Sequence, residues 1–296
     1  MNTNIVLLLF RSMRPKQWTK NAIIFAPLVF SQNFLKAPLI LEVCIAFAVF
    51  CALSGAVYII NDLLDIEQDR KHPLKCKRPL ASGQLKPRSA VFFLTALLTG
   101  LSLCSLTFLN LHFAGIAAGY LMLQLCYSSW LKHIVIIDVF CIAAGFLLRV
   151  AAGAVVIEVT FSTWLFFCTI LLALFLALSK RRHELVLLED SAGEHRRILD
   201  EYSTGLLDQM ISIVTTATLI AYILYTVSDE TVAKFGSDKL KYTIPFVLYG
   251  IFRYLYLVYQ KNEGGSPEKA LLNDRPILLS VVLYGLAVCA VLLYSH

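Results

Sequence analysis

Nine stretches of this 296-residue chain read as bilayer crossings: roughly 21–36, 39–60, 89–109, 113–131, 134–157, 161–179, 210–228, 243–259 and 277–295. A spanning helix needs about 20 predominantly apolar residues. The first stretch is the weakest, being short and interrupted by Pro27. Composition points the same way. Hydrophobic residues make up 58% of the chain and charged residues 16%, against about 45–50% and about 25% in soluble domains. Mean hydropathy is +0.71, so the apolar surplus needs lipid to cover it. Only 61–88 and 180–209 remain as substantial loops. The expectation is an all-α polytopic protein, one integral membrane domain over 1–296, with those two loops forming a polar cap.

Other classes fail. With 14 Gly, 9 Pro and no dominant repeat, the chain is neither collagen-like nor disordered. Seven of its eight cysteines lie in the apolar runs and read as small buried hydrophobes. There is no C-x-x-C and no Cys/His group with zinc spacing. The first apolar run leads into RSMRPKQWTKN rather than a small-residue cleavage site, so no cleavable signal peptide is expected. Nothing suggests nucleic acid as a partner.

Basic residues orient the spans. With the N-terminus inside, the inner segments hold 20 of the 26 Lys and Arg, including Arg14, Lys16, Lys20, the seven from Arg70 to Arg88, Lys132 and Lys180–Arg182. The opposite side holds Lys36, Lys234, Lys239 and Lys241. This positive-inside split predicts the N-terminus and the polar loops in the cytoplasm and the C-terminus outside.

The densest polar segment begins where the second span meets the cytoplasm, at Asn61-Asp62. Asp62, Asp65 and Asp69 are spaced i, i+3, i+7 and share one helical stripe. Three carboxylates at a membrane boundary are costly without a cation. Oxygen-only ligands suit a hard ion such as Mg²⁺, shared with substrate phosphates. Lys75, Lys77 and Arg78 follow and supply anion-binding groups. The alternative is a solvated loop that only enforces topology, but N-D-x-x-D-x-x-x-D followed by H-P-x-K-x-x-R-P-x-x-S-G is a long and specific pattern.

That segment resembles the first Asp-rich motif of the UbiA superfamily of intramembrane prenyltransferases. The resemblance implies nine spanning helices around a central cavity and Mg²⁺ bound at two Asp-rich motifs. The chain departs at the second motif. After the sixth span it reads S-K-R-R-H-E-L-V-L-L-E-D from Ser179, without D-x-x-x-D, although Asp190 and Glu194 give D-x-x-x-E. Lys180-Arg181-x-x-Glu184 and the N-terminal R-P-K-Q-W-x-K-N from Arg14 instead resemble the decaprenyl-phosphate phosphoribosyltransferase branch. Tyr127-Ser128-x-x-Leu131-Lys132, Asp138-Val139, the G-F-L-L-R run ending at Arg149 and the run from Tyr202 to Asp208 also match. The branch implies transfer of 5-phosphoribose from phosphoribosyl diphosphate (PRPP) to a polyprenyl phosphate.

On that reading Asp62, Asp65 and Asp69 are the catalytic and metal residues, with Asn61, Lys75 and Arg78 on the diphosphate. Arg14, Lys16 and Lys20, with Trp18 between them, would hold the lipid phosphate, or simply anchor the first span. Lys180, Arg181 and Glu184 would meet the 5-phosphate or the diphosphate; Lys180 and Glu184 are also spaced for a plain i, i+4 pair. Tyr127, Lys132 and Asp138 complete the candidate substrate contacts. Residues 185–209 alternate apolar and charged residues at helical spacing, which suits an interfacial helix. Arg149, about 22 Å into its span, is placed to meet Glu42 or Glu158, and Arg253 to reach the cavity or snorkel. The roles of both, and of Asp208, stay open. Asp274 before Arg275-Pro276 reads as a helix N-cap. A prenyltransferase with a prenyl diphosphate donor is the alternative function. A transporter fits poorly, since its polar site belongs at the midplane. Chain length of the lipid and any homo-oligomer are left open.

Overall fold

Prolines and short polar side chains mark where the helices begin. Pro38, Pro87 and Pro245 stand in the first two positions of Ala37–Leu64, Pro87–Phe108 and Ile244–Gln260, where a fixed φ and a missing N–H cost nothing. Ser203 accepts the Leu206 N–H at 3.1 Å to open Thr204–Val227. Asp274 accepts the Ile277 N–H at 3.0 Å, the N-cap expected from sequence. The computed structural model describes residues 4–72, 75–189, 199, 201–261, 264–265, 267, 270 and 273–293. Among these there is no strand.

The residues cluster into two compact units. The first comprises Met1–Ser129 and Leu148–Phe161. It contains α1 (Ile5–Ser12), a 3-10 segment (Pro15–Phe25), α2 (Ala26–Phe30), α3 (Ala37–Leu64), α4 (Ile66–Lys71), α5 (Pro87–Phe108), α6 (Leu111–Ser129) and the later turns of α7 (Ile137–Val156). Ile24, Phe50, Phe113, Tyr120 and Ala152 lie in its larger core. Leu8, Met13, Ile59, Leu80 and Leu85 form a second one, against which Trp18 packs. The second unit comprises Trp130–Leu147 and Ser162–His296. It contains the first turns of α7 with α8 (Thr163–Glu189), α9 (Thr204–Val227), α10 (Asp229–Phe235), α11 (Ile244–Gln260) and α12 (Arg275–Leu293). Its core draws on Val139, Phe175, Leu178, Leu207, Tyr254 and Ile277.

Among the described residues six helices, α3, α5, α7, α8, α9 and α12, are long and apolar enough to cross a membrane. Apolar side chains also face outward: Phe92 is 79% exposed and Leu111 75%. Exposed apolar surface on this scale suits lipid rather than water. The chain is an integral membrane protein. Three of the nine runs are not among these six. Residues 113–131 fall on α6, and 243–259 on α11, which has 17 residues. The run 21–36 is not one helix. It covers the end of the 3-10 segment, the five residues of α2, and a turn in which Gln32 adopts φ 59 and the Asn33 N–H returns to the Leu28 carbonyl at 3.2 Å. Of the interfacial helix expected over 185–209, the first residues continue α8, and 190–198 lie outside the described residues with Asp190 and Glu194.

Candidate functional site

In the first unit the carboxylates gather where α3 passes into α4. Asp62, in the last turn of α3, is 2% exposed, and Asp69 on α4 is 3% exposed. Asp65 is the junction between the helices and is half-buried. Its N–H bonds Asn61 C=O at 3.0 Å and its C=O takes the Asp69 N–H at 2.8 Å, so helical register carries across the break. The backbone register of the stripe is therefore kept.

Buried carboxylates need a counter-charge, and two arginines supply it. Arg78 Nη1 donates to Asp69 Oδ2 at 2.5 Å and to Asp62 Oδ1 at 3.2 Å, bridging the two acids. Arg14 Nη2 also donates to Asp62 Oδ1. The Arg14 guanidinium lies 4.5 Å from the centre of the Tyr58 ring. Arg14 itself sits in the left-handed region, at φ 52 and ψ 64, a conformation non-glycine residues hold only when their surroundings enforce it. A turn seats Arg78: the Ser82 N–H bonds Arg78 C=O at 2.8 Å and the Leu85 N–H bonds Pro79 C=O at 2.8 Å. Leu80 and Leu85 are each 1% exposed, and Gly83 takes φ 76. The R-P-x-x-S-G motif is thus the turn that fixes Arg78.

Two buried polar atoms at this end of the unit have no hydrogen-bond partner among the described residues: the Asn61 Oδ1 acceptor and the Trp18 Nε1 donor. Orphaned buried groups are rare and costly. An amide oxygen one residue from Asp62 suits a hard cation, and an indole N–H between Lys16 and Lys20 suits an anion. Among the described residues no three His, Cys, Asp or Glu side chains stand together as a ready cation cage, and Arg14 and Arg78 hold two of the acids. Asp65 enters no ion pair among the described residues. Mg²⁺ usually takes only one or two protein carboxylates, with waters and substrate phosphates completing the shell, so the donor set fits it.

The second unit builds a different cluster. Asp138, in the first turn of α7, is fully buried; its Oδ2 accepts from Arg181 Nε at 2.6 Å and its Oδ1 from the Tyr202 hydroxyl at 2.8 Å. Arg181, 2% exposed, also donates through Nη1 to Glu184 Oε2. Lys180 Nζ stands 3.8 Å from Glu184 Oε1, so the expected i, i+4 pair is present but loose and shared with Arg181. The Tyr202 hydroxyl accepts the Ile136 N–H at 2.7 Å. Ile136 adopts φ 69, an outlier for a β-branched residue, so Tyr202 helps hold a strained turn ahead of Asp138. Burial pushes the Tyr202 phenol up to about 12. Beside this cluster, Arg182 Nε donates to Asp208 Oδ1 at 2.5 Å, and Tyr259 does so at 3.0 Å while its ring lies 4.2 Å beneath the guanidinium. That gives Asp208 a partner the sequence left open.

Lys16 and Lys75 are exposed and Lys132 half-buried, and none enters an ion pair among the described residues. Lys20 lies within the 3-10 segment and Tyr127 on α6. Arg253 pairs with Asp274 through two bonds of 2.9 and 3.2 Å rather than reaching a cavity. Arg149 Nε donates to Asn21 Oδ1 at 2.6 Å and Nη2 to the Tyr120 hydroxyl at 2.8 Å. Sequence reasoning overlooked Tyr202, Asn21 and Tyr120. Tyr202 stood in a quoted motif, but its partner is 64 residues away.

Residues 22–273 match the family described as the UbiA prenyltransferase family. The chain is 31% identical over 283 residues to a protein named decaprenyl-phosphate phosphoribosyltransferase from Mycolicibacterium smegmatis, covering 92% of this chain and 88% of that one. A protein of the same name from Corynebacterium glutamicum is 31% identical over 293 residues, covering 96% and 86%. Among solved structures, a UbiA homolog from Archaeoglobus fulgidus bound to DMAPP and Mg²⁺ superposes with a TM-score of 0.67 at 17% identity, over 97% of this chain and 99% of that one. That last likeness is one of fold.

Proposed function

The chain belongs to the UbiA prenyltransferase family and is a transferase, and from that premise we propose that it moves 5-phosphoribose from PRPP to a polyprenyl phosphate, releasing diphosphate. The observation that carries this reading is the makeup of the second cluster. A prenyl diphosphate enzyme of this superfamily is expected to carry a second Asp-rich metal motif after the sixth span. Here that place holds Lys180 and a buried Arg181, oriented by Asp138 and Glu184. Cations of this kind suit a phosphate ester rather than a second metal ion. The relatives named decaprenyl-phosphate phosphoribosyltransferase support the same choice.

The acids of the first unit begin neutralised by arginine. A diphosphate offers Arg14 and Arg78 a more strongly charged, bidentate partner. As they turn to it, Asp62 and Asp69 become available as oxygen donors beside Asp65 and Asn61 Oδ1, the set that would hold Mg²⁺. Bound there, Mg²⁺ supplies charge neutralisation for the leaving diphosphate. Lys75 and Arg78 neutralise further phosphate oxygens. Lys180 and Arg181 are the cations offered to a substrate phosphate ester. Lys16, Lys20 and the unpartnered Trp18 N–H hold the lipid phosphate. One of its oxygens attacks the anomeric carbon on the face away from the diphosphate: a carbon–oxygen bond to the lipid phosphate forms, the bond to diphosphate breaks, and the centre inverts through an oxocarbenium-like state. A phosphate monoester is already ionised near neutral pH, so no side chain has to remove a proton from it.

Orientation follows the basic residues: nine crossings, with the N-terminus and both polar loops in the cytoplasm and the C-terminus outside. A substrate panel tests the reaction. Purified protein in detergent is offered PRPP with polyprenyl phosphate, and separately a prenyl diphosphate with aromatic acceptors. PRPP-dependent diphosphate release is expected. Consumption of the prenyl diphosphate alone would transfer the assignment to the wider prenyltransferase class.

A further inference from the structure

The ion pairs of the first unit depend on a segment with little reason to keep its own shape. Pro15–Phe25 is an 11-residue 3-10 helix, whereas runs beyond 3–4 residues are uncommon because side chains eclipse and hydrogen bonds are poorly aligned. Arg14, at its head, is held in a left-handed conformation. Yet Asn21 and Ile24 within it are completely buried. Tertiary contacts must fix it.

The later turns of α7 provide them. Arg149 reaches Asn21 Oδ1 with Nε and the Tyr120 hydroxyl with Nη2, at 2.6 and 2.8 Å, and its guanidinium stands 4.7 Å from the Tyr120 ring centre. Asn21 passes the contact on to α3: its Nδ2 donates to Ser54 Oγ at 3.2 Å and to Cys51 Sγ at 3.4 Å. Four residues beyond Arg149, Gly153 admits the Ile24 carbonyl so closely that a Cβ would lie 2.1 Å from its oxygen. A guanidinium serves two acceptors at once through a planar fork; an ammonium has no such geometry. An arginine within a span is expensive and is kept for a purpose.

We propose that Arg149 is a positioning residue. Acting through Asn21, it seats the 3-10 segment on α3, and so sets where Arg14 meets Asp62 and how Lys16, Trp18 and Lys20 are presented. The consequence for lipid phosphate rests on the phosphoribosyl reading; the seating does not.

Trp18 reports on the seating directly, since its ring packs edge-on to Phe10 at 5.6 Å. In full-length protein carrying Trp130→Phe and Trp164→Phe, Trp18 is the only tryptophan left of the three. Asn21→Ala, Gly153→Ala and Arg149→Leu are each expected to move its emission to longer wavelength. Arg149→Lys should do the same, whereas Asn21→Asp, which still accepts from the guanidinium but loses the donation to Ser54 and Cys51, should give a smaller shift than Asn21→Ala. Combining Arg149→Leu with Asn21→Ala should add nothing to either alone. In turnover assays the same variants should raise KM for polyprenyl phosphate about tenfold, the factor for one lost charge-assisted hydrogen bond, with kcat retained. Unchanged emission in folded Asn21→Ala and Gly153→Ala overturns the proposal, whether or not Arg149→Leu folds. A wild-type protein that turns over no PRPP would dispose of the reaction and leave the emission test standing.

Discussion

Arg78→Met keeps an unbranched apolar stem and removes the charge that touches both buried acids. Asp62 would retain Arg14. Asp69 would retain no ion pair among the described residues. Stripping the partner from a buried charge costs about 3–5 kcal/mol. The Arg78 side chain is 27% exposed, so water screens the pair and the lower end, about 3 kcal/mol, is the expected loss. If the freed carboxylates are Mg²⁺ ligands, the ion replaces the missing cation. Free Mg²⁺ at about 100 times its Kd then returns about 2.7 kcal/mol, nearly the whole deficit. The wild type should gain less, because Arg14 and Arg78 must first give way. The assay is thermal unfolding in detergent, followed by intrinsic fluorescence with EDTA and with Mg²⁺, and it needs no substrate. A variant that is destabilised in EDTA but gains no more from Mg²⁺ than the wild type would refute the metal role of these acids.

Other consequences are simpler to read. Asp62→Asn and Asp65→Asn should each lower Mg²⁺-dependent diphosphate release by at least about 10²-fold, the scale of losing a group that stabilises transition-state charge; near-normal release would remove them from the site. Lys16→Ala should raise KM for the lipid more than for PRPP, and the reverse order would place Lys16 on the donor. Tyr202→Phe strips a hydrogen bond from buried Asp138 and from the Ile136 N–H, costing about 1–3 kcal/mol in unfolding experiments. The folded phenol holds its proton up to about 12, above its usual value of about 10. Its contribution to stability is therefore constant at neutral pH and falls only as pH rises from about 10 toward about 12, a fall Tyr202→Phe should abolish. A reporter fused beyond the last helix should behave as extracytoplasmic; cytoplasmic activity would overturn the nine-crossing count.

What could be read from sequence was what is local. The carboxylate stripe follows from helical period alone, and its backbone register survives the break at Asp65 because the i to i+4 bonds run through it. The Asp274 cap is equally local. The partners of these groups were not legible. Arg78 and Arg14 read as phosphate contacts, yet each spends its charge on Asp62, across 16 and 48 residues. Asp208 and Arg253 looked unassigned because their partners, Arg182 and Asp274, lie 26 and 21 residues away. The shape of the first apolar run was hidden for a different reason. Hydropathy measures how apolar a stretch is and not whether it is straight, and this one is broken by a left-handed turn at Gln32. Resemblance supplied the reaction class; spacing alone supplied only acids beside bases.

The most direct measurement is the mass of the lipid product. Purified protein, Mg²⁺, polyprenyl phosphate and PRPP labelled with ¹³C in the ribose are incubated together, and the lipid fraction is weighed. A lipid heavier by one labelled phosphoribosyl group, with one diphosphate released for each, is the expected result. An unmodified lipid, in protein that is folded and that consumes a prenyl diphosphate instead, would contradict the account.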